Sequence, residues 1–464
     1  PRRRGMRMKT RSLEMRNDNP TKPGKIRLFL REHRAILIVL LLVLAIRLIA
    51  LDMLGAEYSL SSDDLSYVRS GITFRHTGMI TMHENDVPSA QIMPGMTVLI
   101  GLLSFVFGEG TLLWVALKLL WACMGTLTGW FIYKSVRIYA PKWCGVVAVI
   151  PLLRADFVWM DNLILTETPF ILCFSAMIYC TLMMGKTHKG KYFWGCLVAY
   201  MLALMCKATI APYPVFAMVY LLLVKYDFKR LLRQGLILGG VVLCFIIPWS
   251  IRNYVQFDAF VPLTYGVGNP RLLGTYQGYG YPSDEELDYE THVEAVTREK
   301  YARYYNEDGS VKPEFVRYVN LGRDDIKANY RIREWAKKDW KSMVVSYGVL
   351  KPAEMIRSSF YWTTIFDVGK EEVLLMQDIN TVLCAVAVAL AVILKKYRRQ
   401  MCFLLLLYFG NLYIYAATFA FDRYQVSLMP IRYIIIGVGL GLGAELFSRA
   451  VTAVRDKRAA AEAK

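Results

Sequence analysis

Apolar residues along this chain gather in long runs, and the residues between the runs are rich in lysine and arginine. The runs are Ala35–Leu54, Ile92–Gly108, Thr111–Ile138, Trp143–Leu153 (extending to Val158), Leu163–Met184, Tyr192–Lys207, Ile210–Val224 and Leu232–Trp249. After a long mixed segment come Val373–Leu394, Met401–Phe419 and Leu428–Phe447. About 20 apolar residues in a helix cross about 30 Å of hydrocarbon, so the pattern predicts an all-α polytopic membrane protein with about 10–11 transmembrane helices.

The basic clusters set the expected orientation. Lys134, Arg137 and Lys142, KTHKGK at 186–191, KYDFKRLLR at 225–233 and KKYRR at 395–399 all fall in short loops. They share one side only if Ile92–Gly108 does not cross, and about 17 residues is the bottom of the spanning range. Short cytoplasmic loops carry the Lys/Arg excess, so these clusters and both termini are placed in the cytoplasm. The expected division is a basic N-terminus (1–34), an N-terminal transmembrane core (35–250) containing a first outer loop (55–110), an outer amphipathic segment (251–370), C-terminal spans (371–448) and a cytoplasmic tail (449–464). Whether 92–108 and 340–366 cross stays open. The first run is too long for a signal-peptide core and lacks a small-residue cleavage site, so it reads as an uncleaved span.

Composition sharpens this. The 464 residues are 55% hydrophobic, with a formal net charge of +18. That charge sits in loops between apolar runs, which points to anionic lipid headgroups and argues against nucleic acid as a partner. All nine cysteines lie inside apolar runs, which argues against a disulfide-built outer domain and a CxxC metal site.

Ionisable groups within spans are costly unless paired or solvated, and mark candidate chemistry. Here they gather toward the outer ends: Arg47, Lys118, Glu167, Lys207, Arg252, Asp422 and Arg423. Each has a plainer reading. Arg47 can snorkel to the interface, Lys207 and Arg423 can serve as interfacial anchors, and Glu167 can be a structural cation's partner. The first outer loop opens with Ser61, Ser62, Asp63 and Asp64, a plausible helix N-cap with acids in the first turn. His76, His83, Glu84 and Asp86 match no familiar zinc spacing. The glycines at 266–280 lack the Lys-Ser/Thr of a phosphate loop and read as a flexible loop over a site. Trp335, Trp340 and Trp362 suggest a helix lying along the outer interface.

Several stretches together carry a family resemblance. SSDDLSYVRSGITFRHTG resembles the acidic start of the first outer loop in GT-C superfamily glycosyltransferases, in the branch related to protein O-mannosyltransferases and the lipid A aminoarabinose transferase (glycosyltransferase family 39-like). Pro94, LILTETPF, LMCKATIAPYP, IIPWSIRNYVQFDAFVPLT and FDRYQVSLMP are similar to successive pieces of that branch, in the same order. Asp64 stands where Glu is common, and Lys118 where Arg is common. Residues 270–367 match nothing in the branch.

The resemblance implies a GT-C fold with interfacial helices in the first outer loop. It implies a polyprenyl-phosphate sugar donor and an unidentified glycan, lipid or protein acceptor, joined on the outer face of a bacterial plasma membrane. Asp63 is then the expected base, with Asp64 beside it. Lys207, Arg252, Arg423 and Lys118 are the expected phosphate ligands, and Glu167, Asn253, Tyr265 and Tyr424 the substrate contacts. Residues Tyr265–Tyr281 would close over the sugar. No cofactor is implied, and no divalent metal is indicated. A transporter or flippase and a ligase of lipid-linked glycans are the alternatives. A transporter should show paired broken helices and internal symmetry, and the sequence shows neither.

Overall fold

The structure, a computed structural model, describes residues 25–84 and 86–462. The basic stretch 1–24, on which part of the cytoplasmic N-terminus prediction falls, lies outside the described residues. The helices are α1 (Lys25–Leu54), α2 (Asp63–Thr77), α3 (Gly95–Phe107), α4 (Thr111–Val136), α5 (Lys142–Val147), α6 (Ala155–Met160), α7 (Glu167–Thr187), α8 (Lys191–Cys206), α9 (Tyr213–Leu223) and α10 (Phe228–Phe257). They continue with α11 (Gly268–Gly274), α12 (Ala295–Lys300), α13 (Val316–Val345), α14 (Lys351–Arg357), α15 (Lys370–Ile393), α16 (Arg398–Ala416), α17 (Asp422–Val426) and α18 (Met429–Glu462). Among the described residues β-pairing is limited to isolated bridges.

Among the described residues, six helical stretches are long and apolar enough to cross a membrane: Ile26–Leu54, Thr111–Val136, Glu167–Thr187, Phe228–Phe257, Lys370–Ile393 and Asp422–Glu462. The protein is an integral membrane protein. Shorter apolar helices fill the bundle between them. At 1.5 Å per residue α3 is only about 20 Å long.

Several elements depart from the sequence reading. The expected span from Trp143 breaks into α5, a 3-10 turn over Ile150–Leu153 and α6. Pro151 is at fault, because it offers no N–H to continue the helix. Lys207, read as the end of a span, has extended backbone and separates α8 from the next turn. The run read as Leu232–Trp249 continues through Pro248 to Phe257, so Arg252 and Asn253 ride on a helix and not in a loop. The outer segment folds mainly as the 30-residue α13, which bends at Asp339. Trp335 is fully buried, bonding Ser342 Oγ, and does not lie at an interface.

Buried ion pairs tie the spans together. Arg47, read as an interfacial cation, lies inside the bundle with its Nε 2.7 Å from Asp161 Oδ2. Thr168 donates to the other oxygen of that carboxylate, at 2.6 Å. Gly125 of α4 makes room for the pair: a Cβ there would lie 2.0 Å from Asp161 Oδ2. Arg154 and Asp156 form a second buried pair, with Ser359 donating to Asp156.

The four basic clusters meet at one end of the bundle. Arg137 and Lys142 lie 3.8 and 3.7 Å from Glu32, and Lys186 donates to the carbonyl of Ile138. Arg230 donates to the carbonyl of His188, and Tyr397 packs on Tyr139. The start of α2, the ends of α8 and α16, and the starts of α7 and α17 meet at the other end. That is where the charged groups of interest converge.

Candidate functional site

The turn before α2 is held by an acid, though not as a serine cap would do it. Ser62 makes no side-chain cap. Asp64 is buried and accepts from the amides of Leu60 (2.7 Å) and Ser62 (3.2 Å). A carboxylate whose oxygens are taken up by backbone donors is a structural group. Lys118, buried in α4, supports the same turn from behind: its ammonium donates to the carbonyls of Tyr58 and Asn162. Asp64 and Lys118 therefore hold the turn, and Asp63, one residue before Asp64, instead reaches Arg423 and His83.

Asp63 opens into a cavity of about 600 Å³. Its wall is built from the α2 start (Ser62, Asp63, Asp64, Tyr67), Met82, His83 and Gln91 of the following loop, the α8 end (Cys206, Lys207), α11 and its approach (Thr264, Gly266, Asn269), Arg317 of α13, and the aromatic group Phe360, Trp362, Tyr415, Phe421 and Tyr424. A second cavity, of about 670 Å³, shares Trp362, Phe419 and Phe421 with the first and reaches Glu354, Lys370 and Asp378. Trp362 is fixed between them by its indole N–H, which bonds Asp422 Oδ2 at 3.0 Å.

Four charges make a continuous row along the first cavity. Arg423 Nη1 lies 2.8 Å from Asp63 Oδ2. The Nε of the same arginine lies 3.4 Å from Glu167 Oε1, which in turn accepts from Lys207 Nζ at 2.7 Å. Two carboxylates and two cations give a row of zero net charge. Exposure grades along it: Glu167 is fully buried, Lys207 is 11% exposed, Arg423 21% and Asp63 24%. The row therefore runs from a buried anchor to a reachable carboxylate. Tyr424 covers it, with Lys207 Nζ 5.4 Å from its ring centre and Tyr415 stacked on the far face.

Of the residues singled out from sequence, the structure brings together Asp63, Glu167, Lys207, Arg423 and Tyr424. Arg252, Asn253 and Tyr265 do not line the cavity. Arg252 donates to the carbonyl of Ser89 at 2.9 Å and to Asn253 Oδ1, and Asn253 donates to the carbonyl of Val261. Tyr265 bonds Ser89 and packs on Phe257 and Tyr318. These three fasten the first outer loop to the end of α10. The motif that carries them is thus a joint between loop and helix in this fold. His76 and His83, whose spacing matches no zinc site, are apart: His76 bonds Glu109, and His83 lies beside Asp63.

Sequence reasoning passed over Tyr67, Arg317 and Gln91. Arg317 reaches the cavity with its Nε donating to Gln91 Oε1 at 2.9 Å. Nothing in the charged stretch around it distinguishes it from its neighbours. Tyr67 could have been suspected, because it lies four residues from Asp63 and so shares its helix face.

The bundle sets an acid from the start of α2 against cations from later elements, as expected of the GT-C fold that the sequence resembles. Comparison with solved structures agrees. The archaeal oligosaccharyltransferase AglB from Archaeoglobus fulgidus, in complex with an inhibitory peptide and a dolichol-phosphate, matches with a TM-score of 0.54 and 14% identity over 92% of this chain and 52% of that one. The apo form of the A. fulgidus enzyme gives the same score over 91% and 52%. This chain thus spans about half the length of that protein. ArnT from Cupriavidus metallidurans bound to undecaprenyl phosphate also matches, with a TM-score of 0.41 and 14% identity over 89% of this chain and 78% of that one; the fold assignment rests on the former. Residues 88–251 match the family described as dolichyl-phosphate-mannose-protein mannosyltransferase. No curated protein sequence matches. The chain is a GT-C-fold membrane protein in which residues 88–251, about a third of its length, match the mannosyltransferase family's model.

Proposed function

We propose that this protein transfers a sugar from a polyprenyl-phosphate donor to an acceptor hydroxyl, with Asp63 as general base. The observation that carries this reading is the row Asp63–Arg423–Glu167–Lys207 on one cavity wall. The leaving group in such a transfer is a lipid phosphate, and it departs readily when its charge is held. Arg423 and Lys207 are the cations in reach. In the unloaded site each is matched by a carboxylate. An arriving phosphate shares Arg423 with Asp63, which loosens the carboxylate's pairing and leaves it free to take the acceptor's proton. The acceptor attacks from the side of Asp63, opposite the departing phosphate, so the anomeric centre inverts. Arg252, Lys118 and Asp64 position the loop that carries Asp63.

The cavity volume suits a donor with one sugar better than a long glycan, which favours transfer of a monosaccharide over a ligase reaction. The basic clusters lie at the other end of the bundle, so the positive-inside rule puts the cavity on the outer face. The aromatic residues Tyr67, Phe360, Trp362 and Tyr415 offer apolar faces for a sugar ring. The acceptor, a glycan, lipid or protein, reaches the cavity from the outer segment.

The test uses the purified protein in detergent with undecaprenyl-phosphate mannose, followed by other undecaprenyl-phosphate sugars, and measures release of sugar and of undecaprenyl phosphate. Asp63→Asn is expected to lower turnover by roughly 10²–10⁴-fold while undecaprenyl phosphate still binds. Near-normal turnover in that variant would remove Asp63 from the role. Mass spectrometry of lipids and glycans from a deletion strain then identifies the acceptor by what goes unmodified.

A further inference from the structure

A base that takes a proton in each turnover must also lose it, and the structure places one side chain to receive it. His83 Nε2 lies 3.5 Å from Asp63 Oδ1, the oxygen that Arg423 does not hold. His83 Nδ1 lies 3.2 Å from Ser66 Oγ. The Ser66 hydroxyl donates to the carbonyl of Ser62 at 3.0 Å, so its proton is already committed. With Ser66 donating to Ser62, the neutral imidazole that donates from Nδ1 to Ser66 turns its Nε2 lone pair toward Asp63. Hydrogen bonds between catalytic groups are commonly long in unloaded sites and shorten with substrate.

The backbone supports a dedicated placement. His83 has φ of 66°, a left-handed conformation uncommon for a residue with a side chain. Met82 and Glu84 form an isolated backbone bridge on either side of it in sequence. Met82 and His83 both line the cavity, and the His83 side chain is 34% exposed, so it touches both the site and solvent.

Resting on the glycosyl-transfer reading above, we infer that His83 is a further catalytic residue, the proton relay that clears Asp63 to solvent. The acceptor oxygen bonds the anomeric carbon as the carbon–oxygen bond to phosphate breaks, and that electron pair leaves with the phosphate. The acceptor's proton passes to Asp63, then to His83 Nε2, and the imidazolium releases a proton to water. The charged groups facing His83 are Asp63 of α2, Glu84 beside it and Arg317 of α13. Burial holds the imidazole's pKa below its ordinary value, with Asp63 and Glu84 opposing and Arg317 assisting. At neutral pH the ring is therefore ready to accept.

The test has two arms on the full-length protein in detergent micelles. In the first, histidines are labelled with ¹³C at Cε1 and titrated by NMR. The sequence has five histidines, so His83→Asn assigns the signal by its loss. In Asp63→Asn the His83 curve is expected to move to lower pH, because the anion favouring its charged form is gone. An unmoved curve overturns the relay. In the second arm, turnover is measured with the undecaprenyl-phosphate sugar that wild type uses. His83→Asn keeps the left-handed backbone; its turnover is expected to fall about tenfold or more, and the part of the acid limb that His83 contributes to be lost. In His83→Gly, which also tolerates that backbone, added imidazole is expected to restore turnover. A His83→Asn variant that matches wild type across the pH range overturns the relay and leaves glycosyl transfer standing. If wild type releases sugar from no such donor, the transfer reading falls and the relay falls with it.

Discussion

Glu167→Gln isolates the charge balance of the cavity. Wild type has two carboxylates and two cations in the row, and Glu167 is the member with no exposure at all. The substitution keeps the shape and one acceptor but leaves Lys207 without a carboxylate and Arg423 with Asp63 alone. Removing one partner from a buried ion pair costs about 3–5 kcal/mol. Gln can still accept from Lys207, and Arg423 is partly exposed, so the expected loss is near the lower figure, about 3 kcal/mol. Thermal unfolding in detergent reads this as a fall of several degrees. Binding of undecaprenyl phosphate should move the other way. A phosphate entering wild type competes with two carboxylates for two cations, and in the variant it competes with one. Its affinity is expected to tighten about tenfold, equivalent to about 1.4 kcal/mol. Saturating lipid phosphate should then return most of the lost stability, since a ligand at 100 times its Kd stabilises by about 2.7 kcal/mol. The reasoning fails if the variant unfolds like wild type. It also fails if the variant is destabilised but binds undecaprenyl phosphate more weakly, because Lys207 and Arg423 would then not be the phosphate's partners.

Two further predictions concern the wall formed by α11. Lys351 is fully buried with its ammonium on the carbonyls of Gly274 and Thr418 and 3.8 Å from the Tyr347 ring centre. Burial pushes its pKa down to about 7, with Glu354 opposing; the unfolded chain, titrating near 10.4, binds more protons above that value, so stability rises with pH from about 7 upward. The rise should vanish in Lys351→Met, and equal pH dependence in the two proteins would contradict it. Gly274→Ala would place a Cβ 2.1 Å from the Thr418 carbonyl oxygen. It is expected to cost about 1–3 kcal/mol, checked by thermal unfolding, with turnover reduced as α11 lifts from the cavity.

How much of this could be read in advance depended on the range of the interaction. The long spans were legible because lipid imposes a local requirement, a stretch of apolar residues, that each sequence window meets by itself. The shared end of the basic clusters was legible for a similar reason: a side rule applied to short loops needs no tertiary knowledge. What failed was local in another way. Pro151 interrupts a run whose hydropathy alone looks continuous, and Pro248 does not interrupt a helix that composition would end. One proline lies where the chain turns, the other where neighbouring packing carries the helix onward.

The pairing of charges was the least legible part, because it is decided across long separations. Arg47 looked free to snorkel until Asp161, 114 residues away, was placed against it. Arg252 and Arg423 had similar standing in sequence, each an arginine at the outer end of a span. The end of α10 aims Arg252 at loop carbonyls, which accept a cation's hydrogen bonds without supplying a charge to exchange. The short helix α17 aims Arg423 between two carboxylates, one buried and one open to the cavity. Only the second arrangement can change partners when a phosphate arrives, because one of its present partners is itself reachable. That difference separates an arginine that holds the fold from one that can take part in the reaction, and it fixes the order of experiments: Arg423→Lys should impair lipid-phosphate binding at preserved stability, whereas loss of Arg252 should loosen the first outer loop before it touches the donor.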